Sequence, residues 1–463
     1  MRGRGGPFCR GTNHAARITH TPMPSAPDLL IQSATLLDPG GGNHDGDPRE
    51  ADLLIRGGEI AQIGKNLSPE NVEPFDAEGL TVSPGWMDMH VHLREPGFEH
   101  KETIETGTRA AAAGGFTAVA CMPNTDPPLD TRDVVEFVKE RAEGQPVAVH
   151  PVGGVSKGRD GEALAEMGDL VEGGAVAFSD DGAPVWDAGL MRRALEYSRM
   201  LGMPIIGHME ERSLSAGGHM HEGDVSARLG LDAIPSLADD VMIARDVLLA
   251  ETTGGSLHVA HLSTRDGVEL VRRAKARGVP VTAEVCAHHL ALTDRAVEET
   301  QFSTNTKMHP PLRSPEDVQA LEDGLADGTI DALCTDHAPH ASFEKEVEFT
   351  AAPNGIIGLE TAFGLIGREL VAPGVLSLAE AVEKLVAAPR RVLGLPVPRL
   401  EEGRPANLTI FDPDERWTVT EHDIRSKSQN TPFLGAELVG RPVAIYNRGR
   451  MAVNDELRLA KAA

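Results

Sequence analysis

From residue 80 to about 340, short apolar runs recur, each followed by a polar or ionisable cluster and then a stretch of helical pattern. The runs fall at residues 81–93, 116–122, 147–152, 175–178, 204–206, 257–262, 279–285 and 332–335. Their residues are β-branched or small, as strands covered on both faces require. Between them, residues 133–143 carry Val134, Val135, Phe137 and Val138 on a helical segment. Residues 314–325 carry Val318, Leu321 and Leu325 behind Ser314-Pro315, a good N-cap followed by proline at the first helical position. Eight strands alternating with helices predict an α/β chain folded as a TIM (β/α)8 barrel. The alternative is a doubly wound open sheet. It calls for a glycine-rich phosphate loop after the first strand, whereas this strand ends in histidines.

The flanks read differently. Leu29-Leu30-Ile31 and Leu53-Leu54-Ile55 are short apolar runs separated by Gly40-Gly41-Gly42-Asn43, the pattern of strands and hairpins. After a helical segment at 378–385, short strands return at Leu408-Thr409-Ile410-Phe411 and Val443-Ala444-Ile445. The expectation is a small β-sandwich domain built jointly from residues 28–82 and 392–459, beside a catalytic barrel at 83–391. Residues 1–27 read as a disordered basic tail. It holds Arg2, Arg4, Arg10 and Arg17, and Met23 offers a later start.

Charge narrows the partners. A formal net charge of −26 repels phosphate backbones and anionic lipid, which argues against nucleic-acid and membrane-surface partners. No uncharged apolar stretch approaches the ~18 residues of a membrane span, and the N-terminus lacks a secretory apolar run. Cys9, Cys121, Cys286 and Cys334 are widely spaced, with no Cys-x-x-Cys pair. That usage fits reduced thiols in a cytoplasmic protein.

The ionisable residues gather at the carboxyl ends of the predicted strands, where barrel active sites are built. His90-Val91-His92-Leu93-Arg94 ends the first. Period-two alternation lets His90, His92 and Arg94 face one side. Two imidazoles so placed can hold one zinc ion, and Arg94 adds a rigid fork of donors suited to a carboxylate. Ser179-Asp180-Asp181-Gly182 ends the fourth strand, Gly207-His208-Met209-Glu210 the fifth, His258-Val259-Ala260-His261 the sixth and Asp336-His337-Ala338-Pro339-His340 the eighth. One such cluster would mean little, because a lone histidine is ordinarily a hydrogen-bonded core or surface residue. Four of them added to His-x-His point to a binuclear zinc site: two histidines, a bridging acid and two further histidines. A final aspartate beside it shuttles a proton.

Several stretches together resemble the amidohydrolase superfamily and, within it, the class I dihydroorotases. They are residues 84–97 (PGWMDMHVHLREPG), Cys121-Met122-Pro123-Asn124-Thr125, Phe178-Ser179-Asp180-Asp181-Gly182, Pro310-Pro311-Leu312-Arg313, Thr335-Asp336-His337-Ala338-Pro339-His340 and residues 355–361 (GIIGLET). The resemblance runs from about residue 28 to 453. It implies that His90 and His92 bind one zinc and that His208 and His261 bind a second. Asp181 then bridges them, where many relatives use a carboxylated lysine. Asp336 lies against the first zinc and serves as general acid and base. Arg94, Asn124 and His340, with His92 beside them, hold the substrate's free carboxylate. Asn305 and the backbone around Asn354 and Gly355 touch the ring.

The activity so implied is the reversible cyclisation of N-carbamoyl-L-aspartate to L-dihydroorotate in pyrimidine synthesis. The implied partners are that small molecule, further copies of the chain as a homo-oligomer, and aspartate transcarbamoylase. The rival reading within the superfamily is a hydantoinase or allantoinase, whose substrates lack this carboxylate. An inactive homologue supporting aspartate transcarbamoylase would have lost zinc ligands, and this chain keeps every expected one.

Some neighbouring residues read as structural. Alternation lets only one of Asp180 and Asp181 point inward, and the family pattern favours Asp181. His258 and His261 are three apart and face different ways, so His258 is structural. His288-His289 stand in the family's Pro-His-His stretch, with Ala287 in place of proline, and support rather than ligate. His219 and His221 lie in a glycine-rich loop and read as solvated. His309 stands where relatives often carry asparagine. Cys121 and Cys334 read as buried small residues.

Overall fold

The computed structural model describes residues 28–40 and 47–454. The expected basic tail and residues 455–459 of the expected second domain lie outside them. Eight parallel strands follow one another, each beside the next: Trp86–Val91, Phe116–Cys121, Ala148–Gly153, Ala177–Phe178, Ile205–Gly207, Leu257–Val259, Val281–Cys286 and Ala332–Cys334. The eighth meets the first through a parallel bridge between His337 and Val91, where the His92 amide donates to the His337 carbonyl at 2.9 Å. The result is the (β/α)8 barrel expected from the alternation.

Two apolar layers follow from the strand period. Ala118, Ala120, Ala177, Ile206 and Ala332 belong to one buried cluster. Their chain neighbours Val119, Phe178, Ile205 and Leu333 pack in another, with Leu190 and Val268 of the helices Ala188–Leu201 and Arg265–Ala276. The helix expected at 314–325 forms at Pro315–Ala326, where the Ser314 hydroxyl accepts from the Asp317 amide. No helix among the described residues is long and apolar enough to cross a membrane.

The flanks meet in one sheet. Its order is Arg450–Val453, Glu437–Asn447, Leu408–Thr418, Thr81–Pro84, Leu29–Leu36, Arg49–Arg56 and Glu59–Gly64. Leu29–Leu36 carries a bulge between Ile31 and Ala34, with Ser33 at φ +59°. It pairs with Glu73–Asp76 on one side of the bulge and with Thr81–Pro84 on the other. The expected small β domain thus joins strands of both flanks in one hydrogen-bonded network. Ile31, Leu53, Ile55, Leu408, Ile410 and Tyr446 share its core.

The run at 81–93 divides between the two sheets. Thr81–Pro84 pairs antiparallel with residues 408–411, and the barrel strand begins two residues later at Trp86. Gly85 is the hinge between them. A Cβ there would stand 1.9 Å from Asn407 Oδ1 and 2.2 Å from Thr117 Oγ1, so no side chain fits. Trp86 seals the joint, its ring 4.5 Å from that of Phe363 and 5.0 Å from that of Phe411.

Candidate active site

The strand ends bring the predicted ligands together. His90, His92 and Asp181 form one group, and Asp181, His208 and His261 a second; within each, the ligand atoms lie within 4.8 Å of one another. The two Asp181 oxygens divide between them. Oδ2 is 3.4 Å from His90 Nε2 and 3.5 Å from His92 Nε2. Oδ1 is 3.5 Å from His208 Nδ1 and 3.3 Å from His261 Nε2. Asp180 turns the other way and accepts from the backbone amides of Val155 and Ser156. Burial raises the Asp181 carboxyl, but the His90 charge and hydrogen bonds with His208 and His261 outweigh it and hold it well below the usual carboxylate range.

Neighbours fix the rings. His90 Nδ1 lies 2.6 Å from Glu284 Oε1, and His92 Nδ1 lies 2.7 Å from Asn124 Oδ1. A carboxylate and an amide oxygen only accept, so each takes the Nδ1–H and leaves Nε2 facing Asp181 and Asp336. His208 presents Nδ1 to the group and turns Nε2 towards Glu210, 3.6 Å away. His90 Nε2 is buried among these atoms without a hydrogen-bond partner. Four imidazole nitrogens around one carboxylate, one of them buried without a hydrogen-bond partner, fit metal binding.

Asp336 follows the eighth strand, and its Oδ1 is 3.0 Å from His92 Nε2 and 3.7 Å from His90 Nε2. Burial pushes its carboxyl up, but the His92 hydrogen bond and the charges of His90 and His92 prevail and hold it low. Three residues here adopt left-handed backbone: Arg94 at φ +64°, His261 at +34° and Asp336 at +47°. Such conformations cost roughly 1–3 kcal/mol each in a non-glycine residue and gather at functional sites.

A cavity of about 560 Å3 opens onto the group, lined among others by Arg94, Asn124, His340, Asn354 and Gly355. Arg94 is buried, and its Nε donates to the Pro339 carbonyl at 3.1 Å. Burial lowers its guanidinium to about 10, so it stays cationic at neutral pH. Gly355 sits at φ +123°, and a Cβ there would meet the Ala338 Cβ at 2.7 Å. His340 Nε2 donates to the Asn354 carbonyl at 2.8 Å, and its Nδ1 is 3.5 Å from Lys101 Nζ. Burial, then Arg94 and Lys101, push that imidazole down to about 2. It is neutral here, so Arg94 supplies the fixed charge of that wall. Asn305 stands apart. It does not line the cavity, and its amide donates to the Thr431 carbonyl at 3.3 Å.

Other contacts escaped the sequence reading. Glu284 is the only charged side chain in the strand Val281–Cys286, and that isolation was its signal. It contacts His90 and lies 3.5 Å from His258 Nε2. Arg313 is fully buried, bonding Asp239 at 2.8 Å and Ser263 Oγ at 3.1 Å, two residues past His261. Its Nη1 also lies 3.3 Å from His221 Nδ1. His221 is thus buried against a guanidinium and not solvated as its glycine-rich loop suggested. His309 lines the cavity and meets Glu210 at 3.3 Å.

The family described as Dihydro-orotase-like matches residues 79–267. A protein named dihydroorotase from Pelotomaculum thermopropionicum is 54% identical over 429 residues, covering 93% of this chain and 99% of its own. One of the same name from Syntrophus aciditrophicus is 50% identical over 431 residues, covering 92% and 100%. Among solved structures, L-hydantoinase (dihydropyrimidinase) from Arthrobacter aurescens superposes with a TM-score of 0.81 at 28% identity, over 92% of this chain and 96% of that one. D-hydantoinase from Thermus sp. gives 0.77 at 29%, over 92% and 95%. With half its residues identical to dihydroorotases along nearly the full length of both partners, this chain belongs to the dihydroorotase family.

Proposed function

We propose that this chain is a zinc-dependent dihydroorotase that interconverts N-carbamoyl-L-aspartate and L-dihydroorotate in pyrimidine synthesis. The observation that carries the reading is the buried Arg94 guanidinium opening onto the same cavity as the two histidine groups. A fixed cation beside a hydrolytic centre, in a chain of net charge −26, suits a ring that bears a carboxylate.

His90 and His92 would hold one metal and His208 and His261 the other, with Asp181 shared. When bound, the metals supply Lewis-acid polarisation of the ring amide and activation of water at neutral pH. Arg94 holds the carboxylate and so places the scissile C–N bond over Asp181 and Asp336. Asn124 does two things: its oxygen fixes the His92 ring, and its amide lies at the cavity wall beside Gly182. Asp336 accepts the proton of the attacking water and returns it to the ring nitrogen as the C–N bond breaks. In the cyclising direction it takes the proton from the ureido nitrogen and gives it to the departing oxygen.

Ring opening of L-dihydroorotate by the zinc-loaded protein, beside hydantoin, dihydrouracil and allantoin at equal concentration, tests this. Strong preference for dihydroorotate is the expected result. Preference for an uncharged ring would return the chain to the hydantoinase reading that its structural neighbours bring to mind.

The same proposal carries a domain division, with 28–82 and 392–459 flanking the barrel at 83–391. It also carries a cytoplasmic location, which suits the adjacent free thiols of Cys286 and Cys334. Self-association and association with aspartate transcarbamoylase complete it, and co-elution tests both.

A further inference from the structure

A second set of ligand atoms lies beside the seventh and eighth strand ends, and the reaction makes no use of it. Cys286 ends the seventh barrel strand, and His288 and His289 follow on the short helix Ala287–Ala291. All three are buried, at 0%, 3% and 2% exposure. Their ligand atoms lie within 4.8 Å of one another.

Each imidazole is tied on one side and bare on the other. His289 Nε2 donates to the Pro310 carbonyl at 3.0 Å, while its Nδ1 is buried without a partner. His288 is hydrogen-bonded to the Thr335 backbone, while its Nε2 is buried without a partner. A ring anchored through one nitrogen, with the other lone pair free, is how metal-ligating histidines are held. Burial lowers His288 to about 4 and His289 well below its ordinary range, so no proton blocks either lone pair. Cys334 Sγ stands 3.6 Å from Cys286 Sγ and brings another soft donor within reach.

We propose that Cys286, His288 and His289, with Cys334 alongside, form a third cation site, separate from the binuclear group and selective for a soft or borderline ion of the zinc or copper(I) class. Binding exchanges the Cys286 S–H bond for a sulfur–metal bond and releases the proton to solvent, with no change of oxidation state. The ion would clamp the ends of the seventh and eighth strands. Through His288 and Thr335 it would also steady the residue just before Asp336.

Cobalt(II) exchange into the purified protein tests this without reference to turnover. The binuclear group offers only nitrogen and oxygen donors, so a near-ultraviolet thiolate-to-cobalt charge-transfer band reports the new site alone. The expected result is three cobalt ions per chain, with a band that saturates at one equivalent. Cys286→Ser should remove the band and lower the count to two. His289→Ala should lower the count while leaving the sulfur in place. His92→Ala should keep the band. Two cobalt ions and no band in the wild-type protein would overturn the proposal, and so would a band that survives in Cys286→Ser. The wild-type count and band decide the matter even where a variant does not fold, and neither depends on which ring the enzyme opens.

Discussion

His90 Nδ1 lies 2.6 Å from the Glu284 carboxylate, and neither side chain reaches solvent. Burial raises that carboxyl, but the His90 charge and the hydrogen bonds of His258 and His90 hold it down to about 2, so it stays ionised. Glu284 is a positioning residue: it dictates which His90 nitrogen faces Asp181. Glu284→Gln should weaken retention of the metal on the His90–His92 side by roughly 10–100-fold. Metal content after graded chelator treatment checks this, and unchanged retention would refute the role.

Asp336 is expected to carry the proton without being needed to hold the metals. Asp336→Asn should lower kcat by at least about 10²–10⁴-fold, the range for a positioned acid–base group. Bound metal should stay near the wild-type level. Turnover close to wild type, or loss of both metals, would contradict the assignment.

Arg94 should read the carboxylate. Arg94→Met removes a charge-assisted contact of about 1.5–3 kcal/mol. KM for L-dihydroorotate should therefore rise by roughly one to two orders of magnitude. Uncharged cyclic amides should be affected little. Equal losses on both substrate kinds would show that Arg94 supports the loop and does not select the substrate.

Far from the site, Asp246 is buried on the helix Leu237–Thr253, with Arg245 Nε at 2.7 Å. Burial raises its carboxyl from 3.8 to about 6 despite that partner. A folded-state value above the unfolded one means that the native protein binds the extra proton between those limits. The stabilisation is thus full below 3.8 and lost as pH rises through 6. Asp246→Asn stays neutral throughout. It should melt higher than wild type at pH 8, by up to about 3 kcal/mol of stability, and match it at pH 4. Melting curves at the two pH values decide this.

The barrel was legible because its strands announce themselves twice, through β-branched runs and through the histidines and aspartates that end them. The histidines that gather around Asp181 were legible because metal chemistry restricts residue type tightly. What stayed hidden depends on contacts between distant segments. The division of residues 81–93 at Gly85 is imposed by Asn407 and Thr117, far away in the chain. Glu284 looks like one polar residue in an apolar strand until His90 stands opposite it. The adjacency of Cys286 and Cys334, 48 positions apart, needs the strand register that pairs them. His221 is buried where Arg313, 92 positions on, reaches across to it.

The shared sheet sets an order of assembly. Thr81–Pro84 has Leu29–Leu36 on one side and residues 408–411 on the other, and a single glycine separates it from the strand that carries His90. On a ribosome, the early half of that sheet is made more than three hundred residues before its closing strand emerges. Thr81–Pro84, the segment that leads into the first barrel strand, gains its second neighbour only when synthesis is nearly complete. A nascent chain stalled before residue 408 would therefore carry His90 and His92 at the end of a segment whose lead-in strand lacks its second partner.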